Sequence, residues 1–260
     1  MAKVVLLDID GVLTTSWRPL PGAVETIGWL KEHNVQFRLL TNSSSRTRRG
    51  IAELLMELGM QVEEPQILTA VTSAARYMTQ HGWRPNCLVL NQGDITEDLE
   101  GFVSTGPASA DVVLLGGAGP TLCYSDFEAA FTLALKGVPL VALHRNLRYR
   151  TSEGLALDMG AFIVGLEAAS GTEIPIVGKP APAFFHAALD QLGREPAEAV
   201  VVGDDIEADV IGAQDVGAIG VLVKSGKFHP SDLEGGGRRP DHVIDNVGLL
   251  PSLFERMSWC

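Results

Sequence analysis

Short apolar runs that alternate with helical patterns occur at both ends of this chain, and they constrain its fold more than any other feature. The first run, Val4 to Leu7, is continuous and rich in valine and leucine. Such a run is typical of a strand that is buried on both faces of a sheet. Strands of this kind are predicted at 4–7, 37–40, 174–177, 199–202 and 220–223. Because helical patterns separate them, we predict an α/β fold with a doubly wound parallel sheet.

The middle of the chain repeats the same alternation as a separate region. It has predicted strands at 87–90, 111–115 and 139–143, and predicted helices at 72–80, 126–135 and 161–169. We therefore predict an α/β domain inserted at 76–174. The two remaining parts, 1–75 and 175–260, are predicted to form one core domain.

The charge balance limits the classes of partner. The chain carries 20 basic and 32 acidic residues, a net charge of −12. Nucleic-acid binding usually needs a basic surface, so a nucleic-acid partner is not expected. The first apolar run is too short for a membrane span or a signal peptide, and the three cysteines lack metal-like spacing. We expect a cytoplasmic protein with no membrane partner.

Polar residues follow four of the predicted core strands. Asp8 and Asp10 come first, and Thr41 and Asn42 end the second strand. Lys179 follows the third predicted strand, and Asp204 and Asp205 follow the fourth. Each pair alone is common in turns and helix caps, and a lone lysine is usually a solvated surface group. Because ligands bind beyond the carboxyl ends of parallel strands, all four together indicate one catalytic site.

This arrangement resembles the haloacid dehalogenase-like superfamily over essentially the whole chain. Asp8-Ile9-Asp10-Gly11-Val12-Leu13 is similar to its first motif, Thr41 to its second and Lys179 to its third. Gly203-Asp204-Asp205 with Asp209 resembles the fourth motif. The position of the insertion and the segments 40–43 and 177–180 resemble subclass IIA. Segments 203–205, 212–217 and 223–227 are most similar to its phospholysine phosphohistidine inorganic pyrophosphate phosphatase branch.

The resemblance implies a phosphatase that works through an aspartyl-phosphate. Asp8 would be the nucleophile, and Asp10 would protonate the leaving oxygen and then deprotonate water. Carboxylates beside a phosphate dianion need a hard cation, so we expect Mg²⁺. Its implied ligands are the carboxylates of Asp8 and Asp204 and the backbone carbonyl of Asp10.

The remaining implied site residues bind phosphate or support those that do. Thr41, Asn42 and Lys179 would bind the phosphate of a small phosphorylated substrate. Asp205 and Asp209 would orient metal-bound water or Lys179. For Asp209, an acid that merely stabilises a helix amino terminus is an equal alternative.

The inserted domain would act as a cap that selects the substrate and carries a homodimer contact. Arg148, Tyr149 and Asp158 are the candidate specificity residues; solvated or turn positions are the alternative for each. Sugar phosphates, pyridoxal phosphate, aryl phosphates, pyrophosphate and phosphoramidates all remain open as substrates. A phospho-receiver domain, a non-catalytic phosphate-binding protein and a phosphomutase are the competing functions.

Overall fold

The computed structural model describes residues 3–83, 85–151, 154–234 and 237–259. Its strands are β1 (Val4–Asp8), β2 (Thr14–Thr15), β3 (Arg18–Pro19), β4 (Phe37–Thr41), β5 (Ile67–Thr69), β6 (Asn86–Leu90), β7 (Val103–Ser104), β8 (Val112–Leu115), β9 (Leu140–Ala142), β10 (Arg148–Thr151), β11 (Gly154–Leu157), β12 (Ala199–Gly203), β13 (Ile219–Val223) and β14 (His242–Ile244). Its α-helices are α1 (Ala23–Glu32), α2 (Arg48–Glu57), α3 (Ala70–Gln80), α4 (Tyr124–Leu135), α5 (Met159–Ser170), α6 (Pro182–Leu192), α7 (Gly212–Asp215) and α8 (Leu250–Met257).

The chain divides into two compact units. The first contains Met1–Thr41, Arg48–Leu68 and Lys179–Cys260, and the second contains Asn42–Thr47 and Thr69–Gly178. The insertion expected at 76–174 falls inside the second unit, which also takes the short segment 42–47.

The first unit is built on a six-stranded sheet in the order β14-β13-β12-β1-β4-β5. The pairs from β14 through β4 are parallel, which confirms the predicted α/β fold with a parallel sheet. β1 is buried at all five positions and has a parallel neighbour on each side, as its continuous apolar sequence predicts.

Helices cover this sheet and exclude water from its apolar side chains. Leu7, Leu39 and Val202 belong to one buried cluster with Ile27 of α1 and Phe254 of α8. α6 contacts β4 and α7, and it buries two phenylalanines, Phe184 and Phe185. Burying a side chain of this size contributes about 2–3 kcal/mol to the free energy of folding. The packed core therefore holds the sheet, and the loops at its edge, in fixed positions.

The second unit has its own parallel sheet, in the order β7-β6-β8-β9. α4 and α5 pack together on it, and the rings of Phe127 and Phe162 stack with their centroids 4.3 Å apart. β10 and β11 form a separate antiparallel hairpin. No helix within the described ranges is long and apolar enough to span a membrane.

The strand predicted at 174–177 is wrong. This segment lies beside β9 in the second unit, where Ala142 N–H donates to the Pro175 carbonyl at 2.9 Å. It makes a single bridge, between Ala142 and Ile176. Pro175 has no N–H and cannot continue a ladder, so the apolar run does not become a core strand. Lys179 therefore does not follow a strand of the core sheet.

Candidate active site

The carboxyl edge of the first unit's sheet brings together two of the predicted aspartates. Asp8 is the last residue of β1, and Asp204 directly follows β12. β1 and β12 are parallel neighbours, with Leu7 paired to Val202, so the two chain positions emerge side by side. On the other side of β1, Asp8 pairs with Leu40, and the next residue is the buried Thr41. Thr41 therefore stands at the same edge as Asp8.

Lys179 joins this edge through two ion pairs. Its ammonium lies 2.5 Å from Asp8 Oδ1 and 2.5 Å from Asp209 Oδ1, and all three side chains are buried. Burial alone would lower the pKa of Lys179, but the charges and hydrogen bonds of the two carboxylates raise it. Lys179 is thus held as a cation between Asp8 and Asp209.

Asp209 has both of its carboxylate oxygens engaged. Its Oδ1 accepts from the Lys179 ammonium, and its Oδ2 accepts from the Asp205 N–H at 3.2 Å. Asp205 is the N-cap of a π-helix at Ile206–Ile211. A Cβ at Gly203 would lie 2.1 Å from the Asp209 Cβ, so only glycine allows this approach. The two alternatives for Asp209 therefore coexist, because it orients Lys179 and also accepts a helix N–H.

Asp204 is clamped by two glycine-containing turns. A Cβ on Gly11, at φ +93°, would lie 1.9 Å from Asp204 Oδ2, and one on Gly226, at φ +66°, would lie 2.0 Å from it. The Lys227 N–H donates to the same oxygen at 2.7 Å. Ser225 Oγ donates to the Gly11 carbonyl at 2.6 Å and links the two turns. The orientation of the Asp204 carboxylate is therefore set by backbone.

The other oxygen of Asp204 has a different environment. Oδ1 is buried, and no donor among the described residues reaches it. Burial, together with the negative charge of Asp209, raises the pKa of Asp204 to about 7. A buried carboxylate oxygen without a donor is costly unless a cation or a proton supplies a partner.

A divalent cation fits these residues. Oxygens of Asp8, Asp204 and Asp209 all lie within 4.8 Å of one another, and hard cations take carboxylate oxygens. Both oxygens of Asp209 already accept hydrogen bonds, from Lys179 and from Asp205. The carboxylates available to a metal are therefore those of Asp8 and Asp204, the latter through its unsatisfied oxygen. The backbone carbonyl of Asp10 stays a predicted third ligand.

Asp10 lies on the turn directly after β1. It bridges to Thr14, the first residue of the β2–β3 hairpin, and Asp10 is partly exposed. Burial raises the pKa of Asp10, while the charges of Lys179 and Lys227 oppose the rise. A carboxyl group with a raised pKa holds a proton more readily near neutral pH, which suits a general acid.

Asp205 lies beside the cluster and serves another purpose. Its Oδ1 accepts from the N–H groups of Glu207 and Ala208 at 3.2 and 3.0 Å, which caps the helical segment. Burial would raise the pKa of Asp205, but the charge of Lys227 and the hydrogen bond from the Ala208 N–H lower it. Its Oδ2 lies 3.2 Å from the Lys227 ammonium. A role for Asp205 in orienting metal-bound water or Lys179 stays a prediction.

The predicted residues outside the first unit are placed as follows. Asn42 belongs to the second unit, where its Oδ1 lies 2.4 Å from the position that a Cβ on Gly178 would take. Arg148 and Tyr149 lie on β10, opposite Leu157 and Ala156. Their proposed contact with substrate stays a prediction.

Asp158 has a structural explanation. Its Oδ1 accepts from the Met159 N–H at 2.8 Å, at the start of α5, and from the Ala118 N–H at 3.1 Å. The side chain is buried, and these contacts tie the helix to the loop after β8. A selection role for Asp158 is not needed to account for its position, and it too stays a prediction.

Sequence reasoning missed Lys227 as a site residue. The segment 223–227 was used only as a mark of resemblance, yet its backbone and its ammonium both contact motif aspartates. A usable signal existed, because Lys227 lies four residues after the predicted strand at 220–223, and polar residues after strands had already marked the rest of the site.

Comparison with known proteins gives matches over most of the chain. Residues 5–102 match a family described as haloacid dehalogenase-like hydrolase, and residues 176–250 match one described as HAD-hydrolase-like. The chain is 39% identical over 232 residues to haloacid dehalogenase-like hydrolase domain-containing protein 2 of Pongo abelii, covering 89% of this chain and 88% of that one. It is 33% identical over 252 residues to phospholysine phosphohistidine inorganic pyrophosphate phosphatase of Xenopus laevis, covering 94% and 92%.

A solved structure extends the comparison to the whole fold. The p-nitrophenyl phosphatase from Archaeoglobus fulgidus superposes with a TM-score of 0.90 at 27% identity, over 97% of this chain and 100% of that one.

Proposed function

Because this chain belongs to the haloacid dehalogenase-like hydrolases, subclass IIA, we propose that its carboxylate cluster is the active site of a magnesium-dependent phosphatase acting on small phosphorylated metabolites. The observation that carries the proposal is the buried arrangement in which Lys179 bonds Asp8 while Asp204 turns an unsatisfied oxygen into the same cluster. That arrangement joins a carboxylate nucleophile, a fixed cation and a metal position.

Asp8 is the proposed nucleophile. Burial raises its pKa, and the ion pair with Lys179 opposes that rise and favours the ionised form that attacks phosphorus. In the first step, a bond forms between an Asp8 carboxylate oxygen and phosphorus, and the bond from phosphorus to the leaving oxygen breaks. When bound, Mg²⁺ would neutralise negative charge on the transferring phosphoryl group.

Asp10 is the proposed acid and base. It gives its proton to the leaving oxygen in the first step. In the second step Asp10 takes a proton from water as the water oxygen bonds to phosphorus. The bond from phosphorus to the Asp8 oxygen then breaks, which frees the Asp8 carboxylate and inorganic phosphate. Thr41 and Asn42 are proposed phosphate ligands through hydrogen bonds, and Lys179 through charge.

The names of the relatives guide the choice of test substrates. Phosphate release should be measured with Mg²⁺ from nitrophenyl phosphate, pyrophosphate, a phosphoramidate and a panel of sugar phosphates and pyridoxal phosphate. Asp8→Asn should abolish release because an amide is a poor nucleophile, while the far-UV circular dichroism spectrum stays that of the wild type. Turnover near the wild-type rate by folded Asp8→Asn protein would refute the mechanism.

We further propose that the second unit carries a homodimer contact. Leu155 and Leu157 are 62% and 65% exposed, and their i, i+2 spacing on β11 places them on one face of the hairpin. Exposed leucines that lie together on one face of a two-stranded hairpin are typical of a protein–protein contact surface. Light scattering should give a dimer mass for the wild type and a monomer mass for the Leu155→Asp, Leu157→Asp double variant; a monomeric wild type would contradict the proposal.

A further inference from the structure

Lys227 places a second ammonium group beside the carboxylate cluster of the first unit, and it differs from Lys179 in its surroundings. Lys179 is 5% exposed and bonded to two carboxylates. The Lys227 side chain is 58% exposed, and its Nζ contacts one carboxylate oxygen, Asp205 Oδ2, at 3.2 Å. An ammonium group has three donors and the contact with Asp205 uses one, so the exposed side chain of Lys227 has donors left for a further partner.

The turn that carries Lys227 packs against the turn that carries Asp10. A Cβ on Gly226 would lie 2.6 Å from the Cα of Gly11, which directly follows Asp10, and Ser225 Oγ donates to the Gly11 carbonyl at 2.6 Å. The charge of Lys227 also opposes the burial-driven rise in the pKa of Asp10. Asp10 is the proposed acid, which must lie next to the leaving oxygen. Lys227 therefore stands on a turn beside the position proposed for the leaving group.

From this placement we propose that Lys227 is a specificity residue, which favours substrates whose leaving group carries a second negative charge, such as a carboxylate or a further phosphate. The proposal deepens the phosphatase function and rests on it. A neutral leaving group offers nothing for the exposed donors of Lys227, whereas an anionic one accepts a charge-assisted hydrogen bond from them. The surrounding aspartates would otherwise repel such a group.

The side chain and the backbone of Lys227 can be tested separately. Its backbone N–H holds Asp204 Oδ2, and every substitution except proline keeps that group. Changing the side chain therefore leaves the Asp204 clamp in place. If Lys227 merely supported Asp205, its removal would affect all substrates alike.

The experiment compares phenyl phosphate with 3-carboxyphenyl phosphate, two substrates whose phenol leaving groups have similar acidity and differ by one negative charge. The variants are Lys227→Gln and Lys227→Arg. Lys224→Gln is the matched control, since Lys224 lies in the same loop and pairs with Asp245 at 2.7 Å. The measured quantity is the ratio of kcat/KM for the charged substrate to that for the neutral one, at constant free Mg²⁺ and ionic strength.

We expect Lys227→Gln to reduce this ratio about tenfold, because one charge-assisted hydrogen bond is lost. Lys227→Arg should restore most of it, and Lys224→Gln should leave it within about twofold of the wild type. An unchanged ratio in Lys227→Gln, or an equal loss on both substrates, would overturn the proposal.

A binding measurement separates failure of this inference from failure of the phosphatase function. Calorimetry should compare benzylphosphonate with 3-carboxybenzylphosphonate in the presence of Mg²⁺, because neither phosphonate needs turnover. Selective binding of the charged compound, lost in Lys227→Gln, would support the role of Lys227 even in a protein that hydrolyses neither phosphate. Equal affinity of the wild type for the two phosphonates would overturn it.

Discussion

Replacing Asp204 by asparagine should make the metal-free protein more stable while removing a ligand of the proposed metal site. Asp204 is 2% exposed, and one of its oxygens has no donor among the described residues. The asparagine carbonyl can still accept from the Lys227 N–H. Its amide N–H₂ then takes the place of the unsatisfied oxygen, in a cluster where oxygens of Asp8 and Asp209 lie within 4.8 Å. The substitution removes a repelled charge and adds a donor.

The size of the effect follows from the pKa of Asp204, which burial and Asp209 raise from 3.8 to about 7. A change of that size corresponds to about 4 kcal/mol of destabilisation when the group is ionised. Charges in real protein sites are screened more strongly than burial alone implies. We therefore expect Asp204→Asn to raise the free energy of unfolding by about 1–3 kcal/mol. For a chain of this length, that gain corresponds to a rise in Tm of about 2–10 °C.

The assay is thermal unfolding of the wild type and Asp204→Asn in a chelator, followed by circular dichroism between pH 5 and 8.5. Because the folded pKa of Asp204 is raised from 3.8 to about 7, the folded wild type holds a proton that the unfolded chain has lost between these pH values. The wild type therefore loses stability as pH rises through this range, and the loss levels off above the folded pKa. The difference in Tm should therefore be largest above pH 8 and shrink as pH falls towards 5. Adding Mg²⁺ should raise Tm of the wild type and have little effect on the variant.

Asp205→Asn is the matched control. It makes the same chemical change at the adjacent residue, but interactions with Lys227 and the helix N–H groups lower the pKa of Asp205. Its loss should therefore leave Tm unchanged or lower it at pH 8.5. A lower Tm for metal-free Asp204→Asn at that pH, or a difference that grows on acidification, would refute the reasoning.

Three other outcomes are expected. Asp10→Asn should reduce turnover of alkyl phosphates by about a hundredfold or more and of nitrophenyl phosphate by less, since a good leaving group needs little protonation; steady-state rates that fall equally on both would argue against Asp10 as the acid. Gly226→Ala should raise the Mg²⁺ concentration for half-maximal activity at least about tenfold, because the alanine Cβ would displace Asp204. Gly217→Ala is the control: Gly217 also has a positive φ, +91°, but open space around it, so this variant should only reduce the free energy of unfolding by about 1 kcal/mol. Replacing residues 76–174 with a short linker should retain weak activity on small reactive phosphates and lose the ranking among larger metabolites, provided that the core folds; an unchanged ranking would place selection in the first unit.

Local sequence patterns were sufficient for most of the secondary structure. The helices predicted at 72–80, 126–135 and 161–169 begin and end within two residues of α3, α4 and α5. Periodicity succeeds there because each helix buries one face against a sheet. It failed at 174–177, where apolar residues suggested a strand but Pro175 lacks the N–H that a ladder needs. β10 and β11 were not predicted, because they form a separate hairpin, largely exposed along β11, and lack the continuous apolar run that marked the buried strands.

The sequence by itself determined the parallel core and the chemical types at its edge. Continuous apolar runs specify strands buried on both faces, and the carboxyl ends of parallel strands converge, so Asp8, Thr41 and Asp204 share an edge whatever the details of packing. Only the tertiary structure decided how those groups are used. Ser225 bonds a carbonyl 214 positions earlier in the chain, and two glycine turns fix which oxygen of Asp204 is satisfied. Contacts between segments so distant in sequence do not appear in any local sequence pattern, because they depend on how whole strands pack against one another.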